Sequence, residues 1–314
     1  MTFPLLLALL LPGIYWDQGP DTISALRHAG IECVHGPAGK AAAWKKAGFC
    51  YVAVSTAELE GYRRAIAPGV RMVANEASAT RSPWIVANGW RFERADAKGT
   101  YVYEPKAGGA ALAAAEAFAY GVQSVLRIDP TDLPELGRML AFLKRCEKPP
   151  LPALADVGVV DDGSPLVGEV MNLLLRRNVL FHALKAPDPS YPINIQFGVN
   201  YQKADARDPG PFALRIRREL TDERRLLQIF GSSVVIGRVE SDGKHTRIHL
   251  LNYGRNPVEG LRVRIRGSHS KPSLLIEGHE GAQPEDFVSS GGGTEFSVPV
   301  INHYAVADLE VSVP

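Results

Sequence analysis

A chain of 314 residues, 46% of them apolar and 22% charged, has enough material for one large or two ordinary domains, each with its own core. The formal net charge of +1 gives no field that would draw in nucleic acid or an acidic membrane surface. Basic residues are scattered apart from short clusters such as residues 215–218 and Arg224-Arg225, which solvated helix faces explain.

In chain order, residues 3–11 are apolar. That run is too short to span a bilayer and has the length of a secretory h-region, although no Lys or Arg precedes it. A signal peptide over residues 1–13 is therefore expected, with a secreted or periplasmic product; a buried first strand is the alternative. Residues 14–16 run into Asp17 at a strand end. Asp21 then caps a helix that reaches Ala29 and stops at Gly30. A strand at 31–34, a helix at 41–47 closed by Gly48, and a strand at 49–54 follow, and Ser55 and Thr56 cap a helix over 57–66. Three β-then-α units in a row predict parallel strands with right-handed crossovers.

The stretch from 70 to 90, VRMVANEASATRSPWIVANGW, sets an acid, amides and two indoles beside buried-strand sequence. Val70, Met72 and Val73 read as a strand that stops at Asn75-Glu76, and a second run, 84–87, stops at Asn88-Gly89-Trp90. At the carboxyl ends of parallel strands such polar tips line a site. Carboxylate, amide and flat ring are also what sugar chemistry uses. A plainer reading has Asn75-Glu76 cap the next turn.

Residues 91–105 read as an irregular insertion with a short strand at 101–103. The helix predicted at 110–120 is small and apolar nearly all round. Its only charge, Glu116, must be paired, protonated or facing a cavity, so a site role and a structural one both stay open. A strand over 122–128 ends in Asp129, and a helix spans 133–146. Lys148-Pro149-Pro150-Leu151-Pro152 is a stiff spacer, which bounds a first domain at 14–148. In the segment 153–231, a strand at 157–160 meets Asp161-Asp162, which either cap the helix over 166–177 or touch a ligand. Strands at 179–184 and 193–197 follow, then a charged helix from 208 to 227. From Ser232 to 314 short β-forming segments alternate with turns. Val263 and Ile265 alternate with Arg262, Arg264 and Arg266, giving one buried and one wet face. The pattern predicts a β-sandwich, to which no binding site is assigned.

Three cysteines, Cys33, Cys50 and Cys146, lack C-x-x-C spacing, which argues against a zinc knuckle or a disulfide framework. A single inter-strand disulfide stays open without being expected. There is no G-x-S-x-G elbow, H-E-x-x-H helix or nucleotide-binding glycine loop; Gly36-Pro37-Ala38-Gly39 is a plain turn. No metal and no cofactor are expected.

HTRIHLLNYGRNPVEGLRVRIRG, with TEFSVPVINHYAVADLEV near the end of the chain, resembles the terminal β-sandwich of bacterial glycoside hydrolases. The likeness is to β-galactosidases built from a barrel, an amidotransferase-like middle domain and a small sandwich. Residues 156–185 are similar to a remnant of that middle domain. The resemblance implies a secreted carbohydrate-active protein whose (β/α) barrel works through two carboxylates. Its acid/base would be a Glu following Asn at a strand end, which only Asn75-Glu76 matches, and its nucleophile would be Asp129, Glu104 or Glu116. About 135 residues from Ile14 to the spacer fall short of the ~200 of a full barrel, so the implied barrel is shortened.

The expected fold is α/β, a (β/α)-barrel-like or shortened parallel domain followed by an all-β C-terminal sandwich. Two functions follow. In a glycosidase-like enzyme Glu76 moves the proton and Asp129, Glu116 or Asp17 is the second acid, while Trp16, Trp84 and Trp90 hold sugar rings beside Asn75 and Asn88. The alternative is a non-catalytic carbohydrate-binding or scaffolding protein with the same aromatics.

Overall fold

The computed structural model describes residues 11–71, 84–94 and 99–312. The chain divides into two compact units, Met1–Pro68 with Lys98–Pro149, and Gly69–Ala97 with Pro150–Pro314.

The first unit is a six-stranded parallel sheet flanked by helices. Across the sheet the strands run Cys50–Val54, Cys33–Pro37, Gly13–Tyr15, Ser124–Arg127, Tyr101–Tyr103 and Arg63–Ala65. Numbered along the chain that order is 3-2-1-6-5-4, the cyclic sequence of a (β/α) barrel. Among the described residues no pairing closes the ring between the third and fourth strands.

The fourth strand is absent from the local pattern, which predicts helix as far as residue 66. Ser55 does open that helix with a reciprocal capping box: Ser55 Oγ accepts from the Glu58 N–H at 3.2 Å and Glu58 Oε2 from the Ser55 N–H at 2.8 Å. The helix is only Thr56–Gly61. Tyr62 turns extended, and the Arg63 N–H donates to the Thr100 carbonyl at 2.9 Å. Pairing with Tyr101–Tyr103 thus makes a strand of Arg63-Arg64-Ala65, which carries no alternation of its own.

The helix Leu133–Cys146 packs one face inward through Leu136, Met139 and Leu143. Gly137 lies on that face, where a Cβ would stand 2.1 Å from the Ala29 carbonyl oxygen and 2.9 Å from its carbon. Gly137→Ala gains about 1 kcal/mol of helix propensity but drives a methyl into backbone that has nowhere to go. A net loss of about 2 kcal/mol or more is expected, read as a lower urea midpoint.

Cys33 and Cys50 start neighbouring strands, face each other in register and form a disulfide with Cα atoms 4.5 Å apart. The sequence leaves this bond unexpected because the register that aligns the two residues is set by the sheet, not by their spacing. The cross-link spans 17 residues, so its reduction should cost about 3 kcal/mol. Unfolding curves with and without dithiothreitol check this. Cys146 is buried and lies outside the disulfide.

The second unit holds an antiparallel pair, Gly69–Arg71 with Trp84–Val86. Val70 is therefore paired antiparallel and is not in the parallel sheet, whereas Met72, Val73 and the Asn75-Glu76 tip of the predicted strand lie outside the described residues. A helical turn, Gly89–Phe92, follows. Arg94 clamps Asp161 with two bonds of 2.8 and 2.5 Å. Asp161 and Asp162 also accept from the N–H groups of Gly163 and Ser164, both at 2.9 Å. They brace the turn before the helix Pro165–Arg176, whose N-cap is Ser164 and not either aspartate. Val157–Val160 is the centre of a three-stranded parallel sheet between Phe181–Leu184 and Asn194–Ile195.

The charged helix predicted to reach 227 is Pro209–Leu220, ended by Thr221 at φ 62°. Leu227–Phe230 instead opens the sandwich, with Leu227 buried against Val263 and Val298 in its core. Two four-stranded antiparallel sheets make up that sandwich. One contains Leu227–Phe230, Val258–Arg266, Gly293–Ile301 and Glu285–Ser290; the other contains Val235–Ser241, His245–Asn252, Tyr304–Glu310 and Ser273–Ile276. Among the described residues no helix is long and apolar enough to cross a membrane.

Candidate functional site

All strands of the first unit's sheet are parallel, so their carboxyl ends share one edge, where such folds place their chemistry. Asp17 follows the strand Gly13–Tyr15, Glu104 follows Tyr101–Tyr103, and Arg127 closes Ser124–Arg127, in register with Tyr15. Arg127 gathers the two acids: Nη2 lies 3.4 Å from Asp17 Oδ2 and Nη1 3.7 Å from Glu104 Oε1. Arg64 adds a third contact, Nη1 to Glu104 Oε2 at 3.2 Å. All four side chains are close to half exposed or more. Lys40 Nζ donates to the Asp17 carbonyl, and the Arg127 guanidinium carbon stands 5.9 Å from the Tyr15 ring centroid.

Close packing supports this edge from below. The Tyr51 hydroxyl donates to the Pro37 carbonyl at 2.8 Å. A Cβ on Gly36 would meet that hydroxyl at 2.4 Å and the Trp16 carbonyl at 2.6 Å, so only glycine fits there. Burial, with Tyr15 alongside, pushes the Tyr51 phenol above its ordinary range, keeping it a donor.

Asn75 and Glu76 lie outside the described residues. Of the other predicted acids, Asp17 and Asp129 each follow a strand of this sheet, and Asp129 also caps the next turn, accepting from Thr131 N at 2.9 Å and Thr131 Oγ1 at 2.6 Å. Those bonds hold its carboxyl below the usual range. Glu116 is fully buried on the helix Ala110–Ala119 and accepts from the Tyr103 hydroxyl at 2.9 Å. Burial and the neighbouring Glu116 push the Tyr103 phenol far up, so this pair is a structural lock.

The expected sugar platforms are corrected in part. Trp16 is 2% exposed and donates from Nε1 to Thr22 Oγ1 at 2.9 Å, which leaves no face for a ring. Trp84, Asn88 and Trp90 belong to the second unit. Trp84 is 43% exposed with the Arg176 guanidinium 4.2 Å from its ring. Trp90 stacks with Arg91 at 4.2 Å and meets Gly168, where a Cβ would approach its ring to 2.9 Å. Asn88 is buried, and its carbonyl accepts from the N–H groups of Arg91 and Phe92 at the start of the helical turn. Sequence reasoning missed Arg127, Arg64 and Lys40 as members of the edge. A signal exists only for Arg127, the first charge after the apolar run of its strand.

No protein-family model matches the sequence, and no curated protein matches it. Among solved structures the chain is similar to α-L-fucosidase isoenzyme 2 from Paenibacillus thiaminolyticus. The TM-score is 0.56 at 10% identity, over 96% of this chain and 77% of that one. A rhamnosidase from Novosphingobium sp. PP1Y matches with a TM-score of 0.44 at 12% identity, over 93% of this chain and 38% of that one. A GH42 β-galactosidase from G. stearothermophilus gives 0.36 at 8% identity, over 79% and 53%. The first likeness establishes a shared fold: a parallel α/β domain followed by antiparallel sheets, as in a glycoside hydrolase.

Proposed function

We propose that the chain is an exported, glycoside hydrolase-like protein that acts on a carbohydrate at the carboxyl edge of its parallel sheet, with Asp17 and Glu104 as paired carboxylates. The observation that carries this reading is the shared guanidinium. Contacts of 3.4 and 3.7 Å to one Arg127 hold the two acids within roughly 9.5 Å, the range over which glycosidase carboxylates cooperate. A carboxylate that accepts from a guanidinium is set up to attack or to take a proton rather than to give one. The proton donor is then a further acid. The Cys33–Cys50 disulfide and the apolar residues 3–11 support export into an oxidising compartment.

The same ion pairs favour a second reading, a carbohydrate-binding protein without catalysis, because Asp17 and Glu104 are both engaged by arginines. A panel of chromogenic glycosides with wild type, Asp17→Asn, Glu104→Gln and Glu76→Gln separates the two. Hydrolysis lost in the Asp17 and Glu104 variants supports catalysis at this edge. Hydrolysis unchanged in both removes it.

A further inference from the structure

A cluster of arginines in the second unit has no part in the carboxyl edge. Arg177 follows the helix Pro165–Arg176, Arg217 lies in the last turn of Pro209–Leu220, and Arg225 comes just before the first strand of the sandwich. Arg225 is almost wholly buried, donating from Nη2 to the carbonyls of Arg177 and Asn178 at 3.4 and 3.2 Å and from Nη1 to Asp222 at 3.1 Å. Arg217 reaches the same Asp222 oxygen from 3.8 Å. Asp222, well exposed, is among the described residues the one carboxylate that two of the three guanidinium groups share. Arg177 spends one Nη on the Gly210 carbonyl at 3.3 Å, and among the described residues no carboxylate contacts it.

Two further donors make this arrangement incomplete. The Nε atoms of Arg177 and Arg225 are both buried without a hydrogen-bond partner. A charged N–H withdrawn from water and left without an acceptor is costly. Bringing a like charge near it adds to that cost, and the Arg217 charge, after burial, holds both Arg177 and Arg225 below the ordinary guanidinium range. Arg176, the adjacent residue, is directed elsewhere, over the Trp84 ring. Asp156, the other acid near Arg225, already spends its oxygens on backbone N–H groups. What the cluster lacks is negative charge with several acceptor oxygens, for which the guanidinium fork is the matching donor.

We propose that Arg177, Arg217 and Arg225 form a binding site for a small tetrahedral oxyanion, phosphate or sulfate, free or carried on a saccharide. The site is independent of catalysis at the carboxyl edge. Thermal unfolding and calorimetric titration of the full chain with inorganic phosphate, sulfate, glucose 6-phosphate and chloride, all at matched ionic strength, test it. Phosphate or sulfate should raise the melting temperature where chloride does not. Arg177→Gln and Arg217→Gln should each weaken that binding at least about tenfold while the circular dichroism spectrum stays native. Glucose 6-phosphate binding as tightly as phosphate would assign a sugar-borne anion, and phosphate alone a free ion. Stabilisation no greater than that by chloride, or equal anion binding by both variants, would overturn the site. Asp17→Asn should bind the anion unchanged, so loss of hydrolysis and loss of anion binding report on different residues.

Discussion

Glu104→Gln and Asp17→Asn should each lower glycoside hydrolysis by about 10²- to 10⁴-fold, the usual worth of a positioned carboxylate. Both changes keep the size of the side chain and its place at the end of a strand, so a fall in rate reads chemistry rather than folding. The effect should appear in kcat, since an isosteric amide still fills the same space and accepts through one oxygen. Arg127 provides the internal control. It contacts both acids, so Arg127→Gln should impair the reaction by releasing them from one geometry, and should add little in either single variant because all three act as a unit. Steady-state kinetics on the best substrate of the glycoside panel checks this set. Additive losses would mean that the acids do not work as a pair.

Asp156→Ala should cost the second unit about 3–5 kcal/mol, because two buried backbone donors lose their acceptor together. Asp156 is 3% exposed, with Oδ2 accepting from Leu180 N at 3.0 Å and Oδ1 from Leu226 N at 2.7 Å. Leu180 and Leu226 both belong to the sandwich core, so one carboxylate ties the small parallel sheet to the first strand of the sandwich.

Burial raises this carboxyl from 3.8 to about 6, against the opposing pull of the Leu226 and Leu180 N–H groups and Arg225. The folded state therefore holds its proton more firmly than the unfolded chain. The contribution is fully present below about pH 4 and is lost as pH rises to about 6, a change of about 3 kcal/mol at ~1.4 kcal/mol per unit. Asp156→Asn removes this dependence. The stability gap between wild type and Asp156→Asn should be wider at pH 4 than at pH 7, measured by urea unfolding. A gap that is constant or wider at pH 7 would contradict the assignment.

Much of this architecture is legible in the chain, because each feature that carries it is local. The β-then-α alternation after Ile14 and the alternation of Arg262, Arg264 and Arg266 with Leu261, Val263 and Ile265 each repeat within a few residues. Features made by partners far along the chain are hidden. Arg63–Ala65 is a strand because of Tyr101–Tyr103, and Val70 is an antiparallel arm because of Ile85.

The candidate site divides the same way. Asp17 can be read at a strand end, but its ion pair with Arg127 joins residues 110 apart and no spacing announces it. Trp16 looks like a platform as a letter beside Asp17, whereas Thr22, six residues on, takes its indole N–H into the core. Glu116 reads as a charge that must be paired, protonated or facing a cavity, and nothing local points to Tyr103, on a separate strand, as the donor to it.

The most direct test of the carboxyl-edge assignment is a crystal structure of Glu104→Gln with the saccharide that the glycoside panel selects. Electron density for a sugar ring between Asp17 and residue 104, within reach of Arg127, is the predicted result. A saccharide ordered elsewhere on the protein, with that edge empty, would contradict it.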